Sequence, residues 1–561
     1  MSAERSVREL MNLGFTEARA REAVSSVGDP TDANLAMNWL FDHGEEDKGG
    51  AVEFKHCPHV DELGKACLVQ REQLVFGEPC VHGCAGSENW VCLHDGKSRC
   101  GRYGRRHGLQ HWEQTKKEQE ANLTVAQAAT GQVSRGHCLA LSLSDLSVWC
   151  YECDGYVQHK SLAPLVKRME QLKFGDVSGD DAAPTSCARQ SPALGTPIST
   201  GVQSAHGRHG DASWPLPKLA RACDDEARPG YRTMLAHEYL DEDEVLKAKV
   251  RLLASLILRS RNCVAYTGAG ISTASGINDY ATKAGDTVTG SRRKISPWEA
   301  QPTLAHRTLV ALHKAGHLKH WVQQNHDGLP QKAGFPSKDL NEIHGAWYDP
   351  SNPVVPMSGT LRTDLIEQML HWEDRVDLCL SLGTSMVGMN ADRMAIAPAE
   401  RMRRGVPGAL GTVIVALQQT QYDNLSSLRI FATIDRVMEL LADEMTLTVP
   451  PVPALRPWGT APILRDLPYS PNGCKNLEAR LTLDFQVGRR FRVVNQPDWD
   501  CEAHGNICEV VEGNDAMTRE GHIALRFGQA GTRGSIVRAL GRWWLDDAVA
   551  GLADILPVVP C

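Results

Sequence analysis

Apolar positions recur at helical spacing through the first 45 residues. Val7, Leu10 and Met11 share a face, Leu13-Gly14-Phe15 interrupts it, and Ala20, Ala23, Val24 and Val27 resume it. After the Gly28-Asp29-Pro30 turn, Leu35, Met37, Trp39, Leu40 and Phe41 make a third stretch. Thr16 and Asp32 can cap the second and third helices. Residues 245–258 carry the pattern of a long amphipathic helix, and 262–266 that of a short apolar strand. Further apolar strands are expected at 321–324, 378–382 and 412–417, with helical stretches between them, which argues a doubly wound α/β sheet. Towards the end of the chain the period changes to two. Stretches at 481–485, 490–494, 509–511, 522–527 and 534–537, separated by Gly and Asn turns, predict a small β barrel. Residues 176–240 and the Pro-rich 446–471 show no structural period and read as linkers, the first of them disordered. The acidic run at 241–244 reads as a charge cluster at a helix N-terminus.

Composition adds limits. The 561 residues suggest several domains, and 42% hydrophobic with 23% charged residues is ordinary for globular protein. A net charge of -8 gives no basic field for nucleic acid. No apolar run approaches the roughly 18–20 residues that span a bilayer. The first ten residues are charged and lack an apolar signal core, so an intracellular protein, cytoplasmic or nuclear, is expected. Arg292-Arg293-Lys294 is too short to choose between the two compartments.

Nine of the 17 cysteines fall between Cys57 and Cys153, with histidines among them: Cys57-Pro-His59, Cys80-x3-Cys84, Cys92, Cys100, His107, His111, His137 and Cys150-x2-Cys153. Thiolates and imidazoles in short pairs suit tetrahedral zinc. The alternative, a disulfide framework, requires an oxidising compartment.

Three resemblances follow. Leu13-Gly14-Phe15 and the 34–41 stretch Asn-Leu-Ala-Met-Asn-Trp-Leu-Phe resemble a ubiquitin-associated (UBA) domain, a three-helix bundle at 1–48 whose Gly-Phe loop docks on ubiquitin; the alternative is a helical cap whose apolar loop serves its own core. Residues 51–175 resemble the ubiquitin-specific-protease-type zinc finger, an α+β domain, in the three-zinc version that ends certain histone deacetylases. The residues that carry this are Glu88 to Leu93, Cys100-Gly101-Arg102-Tyr103, Gly136-His137, Trp149-Cys150-Tyr151-x-Cys153 and Lys173-Phe174-Gly175. That resemblance implies three Zn2+ ligand sets. Cys57, His59, Cys150 and Cys153 form one, and Cys80, Cys84, Cys100 and His107 the second. Cys92, Asp95, His111 and His137 form the third, in which Asp95 stands where the family has a cysteine. A polar insertion at 113–133 separates His111 from His137. The family captures the free C-terminal Gly-Gly tail of ubiquitin, or of an unanchored chain, with residues matching Trp90, Arg102, Tyr103, Tyr151 and Tyr156. A guanidinium fork suits a carboxylate, and flat rings suit a narrow peptide.

Residues 241–445 resemble a sirtuin, an α/β Rossmann-like domain. The motifs are 268–277 (Gly-Ala-Gly-Ile-Ser-Thr-Ala-Ser-Gly-Ile), 324–329 (Gln-Asn-His-Asp-Gly-Leu), 342–345 (Glu-Ile-His-Gly), 382–385 (Leu-Gly-Thr-Ser) and Leu417-Gln418. Thr303 to His306 and Leu361 to Asp364 lean towards the class containing chromatin-linked sirtuins. The resemblance implies that NAD+ is held by Gly268, Ala269, Gly270, Ile271, Asp279, Gln324, Asn325, Asp327, Gly383, Thr384 and Ser385. In that family an acyl-lysine carbonyl displaces nicotinamide and a histidine serves as general base, at the position of His344 here. Departures accompany the match. Ala281 replaces an arginine, Pro330 a histidine and Ala416 an asparagine, and the family's four-cysteine structural zinc module is absent, with no cysteine between His344 and Cys379. Residues 495–500 resemble the opening of an SH3-like barrel of mind-bomb-type ubiquitin ligases, placed at 472–561. Trp543-Trp544 reads as barrel core or edge, and Cys501, His504 and Cys508 lack a fourth metal ligand. Two functions stay open. One is a ubiquitin-binding, NAD-dependent deacylase or ADP-ribosyl transferase acting on an acylated protein. The other is a non-catalytic ubiquitin adaptor whose sirtuin domain binds NAD or ADP-ribose or acts as scaffold.

Overall fold

The computed structural model describes positions 3, 6, 7, 10, 17–27, 30, 36, 57–62, 80–84, 89–100, 106–121, 135–143, 147–153, 155–157, 159, 161, 162, 165, 166, 168, 169, 193–224, 235–277, 287–289, 297–355, 361–386, 390–452, 462–494, 505–513, 515–528 and 535–561. The chain divides into two units. One comprises Lys48–Arg189 with Gly388–Arg393; the other comprises Met1–Asp47, Gln190–Val387 and Met394–Cys561.

The first unit is an antiparallel sheet in the order β2-β1-β3-β4-β5: β1 (Asn89–Cys92), β2 (Ser98–Cys100), β3 (Leu139–Ser142), β4 (Val148–Cys150) and β5 (Gly155–Tyr156). Its core is small. Val60, Val91, Leu93, Leu139, Leu141, Val148, Leu162, Leu165 and Met169 are its main apolar members. The helix His107–Ala121 takes up the first part of the polar insertion and buries only Gly108. A helix with so few apolar residues gains little from packing, so side-chain bonds tie it down. Trp112 Nε1 donates to Arg135 O at 3.0 Å, and His137 N donates to Thr115 Oγ1 at 2.9 Å.

The second unit is built on two short strands, β6 (Lys218–Arg221) and β7 (Glu238–Leu240), and a six-stranded parallel sheet, β10-β9-β8-β11-β12-β13. Its strands are β8 (Cys263–Thr267), β9 (Leu318–Gln323), β10 (Leu340–Glu342), β11 (Leu378–Leu382), β12 (Gly411–Val415) and β13 (Leu428–Ile430). Every residue of β8, β11 and β12 is buried, which explains their near-continuous apolar runs. Helices Asp243–Arg259, Leu304–Lys314 and Ile434–Glu444 cover the sheet through Leu246, Val250, Leu253, Leu309, Val437 and Leu441. Register sets Thr267, Leu382 and Val415 side by side, so the loops that follow β8, β11 and β12 emerge together. Strand order reverses at β8, with β9 on one side and β11 on the other, and such switch points open a crevice at the strand C-termini. The chain leaves β8 in two 3-10 turns, Ala269–Ile271 and Thr273–Ser275.

Residues 176–240 are not a disordered linker in their described part. A helix at Val202–His206 and strands β6 and β7 wrap the β13 edge of the sheet. Ile198, Ala205, Leu219 and Tyr239 pack with Phe431, and Arg208 N and His209 N donate to the carbonyls of Ser426 and Ser427. The acidic run splits likewise. Asp243 and Glu244 sit in the first turn of their helix, whereas Asp241 is fully buried against Lys249, Oδ1 to Nζ 2.6 Å. These contacts fall at isolated positions, so no period betrayed them.

Among the described residues, the C-terminal strands do not close into the expected barrel. They form an open antiparallel sheet, β19-β18-β17-β16-β20, and a separate β14-β15 hairpin. The strands are β14 (Ile463–Leu467), β15 (Leu481–Asp484), β16 (Arg490–Val493), β17 (Ile507–Val511), β18 (Ile523–Phe527), β19 (Ile536–Leu540) and β20 (Val558–Pro560). Strand β14 lies inside the expected 446–471 linker. The hairpin and the helix Arg542–Ala550 cover the sheet's apolar face, joining Leu464, Leu483, Phe491, Leu525, Leu540 and Leu545 in one core, so cover replaces closure. Of the N-terminal bundle, the helix Glu17–Ser26 is described and buries Ala20, Ala23 and Val24. Leu13, Gly14 and Phe15 lie outside the described residues. Among the described residues, no helix is long and apolar enough to cross a membrane.

Candidate functional site

Among the described residues of the first unit stand three donor clusters, each with its donor atoms within 4.8 Å of one another. Cys57, His59, Cys150 and Cys153 join the two ends of the domain. His59 Nδ1 lies 3.6, 3.4 and 3.2 Å from the sulfurs of Cys57, Cys150 and Cys153, and Cys153 Sγ lies 3.7 Å from Cys57 Sγ. A tetrahedral zinc with its usual bond lengths has edges of about 3.8 Å between sulfurs and about 3.6 Å between sulfur and nitrogen. In the second cluster, His107 Nδ1 lies 3.4, 3.3 and 3.3 Å from the sulfurs of Cys80, Cys84 and Cys100. Both sets therefore fit zinc in geometry and in donor type. Burial, with Cys150 nearby, pushes the Cys57 thiol up to about 12, so a divalent cation is what would sustain thiolates here.

The third cluster differs. His107 and His111, one turn apart on the same helix, serve separate clusters. His111 Nε2 is 2.9 Å from His137 Nδ1 and 3.2 Å from Asp95 Oδ2, while Cys92 Sγ stands 3.8 Å from His137. Arg99 forks onto both Asp95 oxygens at 3.0 and 2.8 Å. Burial raises the Asp95 carboxyl, but His111 and Arg99 outweigh it and hold it well below the usual carboxylate range. Asp95 can still offer a lone pair, although Arg99 already neutralises part of the charge a metal would need.

Of the residues matched to the ubiquitin tail, Trp90 is 5% exposed and packs against Ala140 and Trp149 in the core of the sheet. Tyr151 is half-buried and stacks on Trp112 with ring centroids 5.6 Å apart. Arg102, Tyr103 and the Tyr156 side chain lie outside the described residues.

In the second unit, the loops after β8, β11 and β12 line a cleft that includes Gly268, Ala269, Gly270, Gly383, Thr384 and Ser385, joined by Gln324 from the end of β9. The first two loops interlock. Gly270 N donates to Gly383 O at 2.9 Å, and a Cβ on Gly383 (φ +62°) would come within 2.7 Å of the Gly270 backbone. Only glycine permits that approach, which leaves a flat backbone floor for a phosphate-bearing ligand. Gln324 Nε2 donates to Thr384 Oγ1 at 2.9 Å and ties β9 to this floor.

Of the other expected cofactor residues, Ile271, Asn325 and Asp327 are not among those lining the cleft. The Ile271 side chain is in the sheet core, and Asp279 lies outside the described residues. Asn325 Nδ2 donates to Gly268 O and Ser272 Oγ at 3.2 and 3.1 Å, and Ser272 Oγ donates to Asp327 Oδ2 at 2.6 Å, so these two residues brace the floor from behind. Burial raises the Asp327 carboxyl against those bonds. His344 follows β10 and is half-buried, but it is not among the residues that line the cleft. Burial, with His326 nearby, lowers its pKa to about 4, so it is neutral at pH 7.

Sequence reading missed one wall of this cleft. Glu238 lines it from β7 and accepts from Thr287 Oγ1 at 2.6 Å and Val288 N at 2.8 Å, so the N-terminal wrap and residues 287–289 close one side. Gln418, Gln419, Thr420 and Thr433 line another. Arg429, fully buried over Phe431 and paired with Asp423 at 2.8 Å, donates to Ala416 O at 2.9 Å and fixes that loop. Leu417-Gln418 was a usable signal for this wall, whereas Glu238 sat in a segment without periodicity.

Comparisons with known proteins agree with this division. Family models match at residues 4–48 (UBA-like domain), 80–162 (Zn-finger in ubiquitin-hydrolases and other protein) and 282–351 (Sir2 family). The chain is 31% identical over 263 residues to NAD-dependent protein deacetylase sirtuin-7 of Bos taurus, covering 38% of this chain and 64% of that protein. It is 29% identical over 257 residues to NAD-dependent protein deacetylase SRT1 of Arabidopsis thaliana, covering 38% and 53%. It is also 30% identical over 125 residues to Histone deacetylase 6 of Caenorhabditis elegans, covering 22% and 11%. The chain spans less than two thirds of each of these relatives. It carries a UBA-like domain, a zinc-binding finger of the ubiquitin-hydrolase type and a sirtuin domain whose relatives depend on NAD.

Proposed function

We propose that this chain is an intracellular NAD-dependent protein deacylase or ADP-ribosyl transferase whose finger recruits it to free ubiquitin tails. The observation that carries the enzymatic half is the cleft, where two glycine loops and Gln324 form a flat backbone floor at the strand C-termini. A pyrophosphate is the group such a floor suits. NAD, when bound, would supply a nicotinamide leaving group at its ribose. Gly268, Gly270, Gly383, Thr384 and Ser385 would hold the nucleotide, and Asn325 and Asp327 keep the floor rigid. His344, neutral at pH 7, would be the group that takes a proton.

The test is nicotinamide release from NAD with an acylated peptide, beside His344→Ala. Equal background release from both proteins sinks the enzyme reading. The rival, a ubiquitin-binding adaptor that holds NAD or ADP-ribose without turnover, is favoured by one observation: His344 stands off the cleft lining. Under that reading ADP-ribose binds and nicotinamide is not released.

For ubiquitin, the support is the family of the finger together with an Arg102-Tyr103 pair that directly follows Cys100-Gly101. Arg102→Ala, or ubiquitin lacking its last two glycines, is expected to abolish binding to the finger. Unchanged affinity in either experiment refutes carboxylate capture.

A further inference from the structure

The C-terminal sheet has no role in either reading, yet it is docked on the loops around the proposed base. Gly328, next to Asp327, has φ +63°, and a Cβ there would stand 2.8 Å from both Trp543 Cη2 and Tyr348 Cδ2. Tyr348 lies four residues beyond His344. It accepts from Gly541 N at 2.8 Å through its carbonyl, and its ring packs 5.1 Å from Trp543 and 4.7 Å from His522. Lys332 Nζ reaches Glu520 Oε2 at 2.7 Å, with both side chains less than a tenth exposed, and it also donates to the carbonyls of Trp298 and Ala300. Gln301 Nε2 donates to the other Glu520 oxygen at 3.1 Å. On the back of the sheet, Ala524 and Ala539 are paired across β18 and β19. Their small side chains let the strands approach Trp298, Trp347 and Tyr348, with which they share one buried cluster. A desolvated ion pair is weak evidence for stability, but it fixes register, because only one docking position pairs both charges.

We propose that the C-terminal module is a brace for the two loops that carry Asp327 and His344, with Trp543 and Glu520 as its positioning residues. Neither residue lines the nucleotide cleft. The module thus holds the proposed base relative to the floor without touching the cofactor. The inference depends on the proposed role of His344 for its functional meaning, though not for its structural test.

That test uses the full, zinc-loaded chain with Trp543→Ala, Trp543→Phe and Glu520→Gln. Three reporters on the His344 loop are Gly345 N, Ala346 N and Trp347 N, which donate to the carbonyls of Glu342, Asn352 and His326. In Trp543→Ala, hydrogen exchange at these amides should rise at least tenfold. The kcat for nicotinamide release should fall by a similar factor, and ADP-ribose affinity should stay within twofold. Trp543→Phe should restore most of both losses. Unchanged exchange at 345–347 overturns the brace, and so does a parallel loss of ADP-ribose affinity, which would mark general loosening. If exchange rises while wild type and His344→Ala release nicotinamide equally, the brace stands and the enzyme reading fails. If Trp543→Ala does not fold, Glu520→Gln decides by the same amides.

Discussion

The finger and the sirtuin domain hold their working loops by opposite means. In the finger, strands of two to four residues enclose a small core, and three clusters of Cys, His and Asp pin the loops together. In the sirtuin domain, the central strands β8, β11 and β12 are five residues long and buried throughout, and described Cys263 and Cys379 lie singly in the sheet. Its loops are fixed by glycine contacts, by carbonyls bonded to Arg429 and by packing of the C-terminal sheet. The difference teaches where each region is vulnerable. The finger depends on a few donor atoms, while the sirtuin cleft depends on shape distributed over segments far apart in sequence.

The comparison can be broken most forcefully by removing metal. Structural zinc in small fingers supplies about 10–16 kcal/mol per site. A strong chelator should therefore unfold residues 51–175, seen as loss of exchange protection in β1 to β4, while ADP-ribose binding survives. Loss of both together would show that the two regions are not independent.

Next in size is the buried Lys249–Asp241 pair that anchors the N-terminal wrap. Asp241→Asn should cost about 3–5 kcal/mol, read as a lower unfolding temperature of the sirtuin domain with zinc content unchanged. No change in that temperature would return residues 193–241 to the status of a loose linker.

Acid acts on the same domain. Burial lowers His306 and His320 to about 3, against 6.5 when exposed. The unfolded chain binds these protons first, so stability is full above pH 6.5 and falls as the pH drops towards 3, by about 1.4 kcal/mol per unit for each histidine. One unit below 6.5 the loss is about 3 kcal/mol, measurable by denaturant titration with zinc held in excess, and His320→Gln should flatten the slope.

At the cleft floor, Gly383→Ala places a methyl group against the Gly270 backbone at a positive φ. A cost of about 1–3 kcal/mol is expected, seen as ADP-ribose affinity weakened about tenfold or more. The smallest effect belongs to the third metal cluster. Asp95→Cys exchanges a carboxylate shared with Arg99 for a thiolate and should tighten that cluster about tenfold without moving the other two. Competition with a graded chelator series reads this directly, and an unchanged third affinity would mean that Arg99 was not the weakness.

Much of this was legible in the residues. Leu378–Leu382 was bounded correctly, because a short apolar run between turns leaves little freedom in a parallel sheet. The cysteine and histidine spacings announced zinc, and the glycines of the 268 and 383 loops announced a floor. Other features left no local trace. The N-terminal wrap touches the sheet at isolated residues such as Leu219 and Tyr239, and Glu238 reaches the cleft from there. The C-terminal strands alternate as a barrel would, but the helix Arg542–Ala550 covers the sheet and removes the need to close it.

By itself, then, the sequence determined donor types, glycine positions and strand periods, since each depends on the chemistry of a few neighbouring residues. Only the tertiary structure decided that Arg99 competes for Asp95, that His344 is not among the residues lining the cleft, and that Trp543 meets Gly328. Those facts turn on how side chains fill shared volume after distant segments meet, and a local pattern of polar and apolar positions does not encode which distant surface a residue will reach.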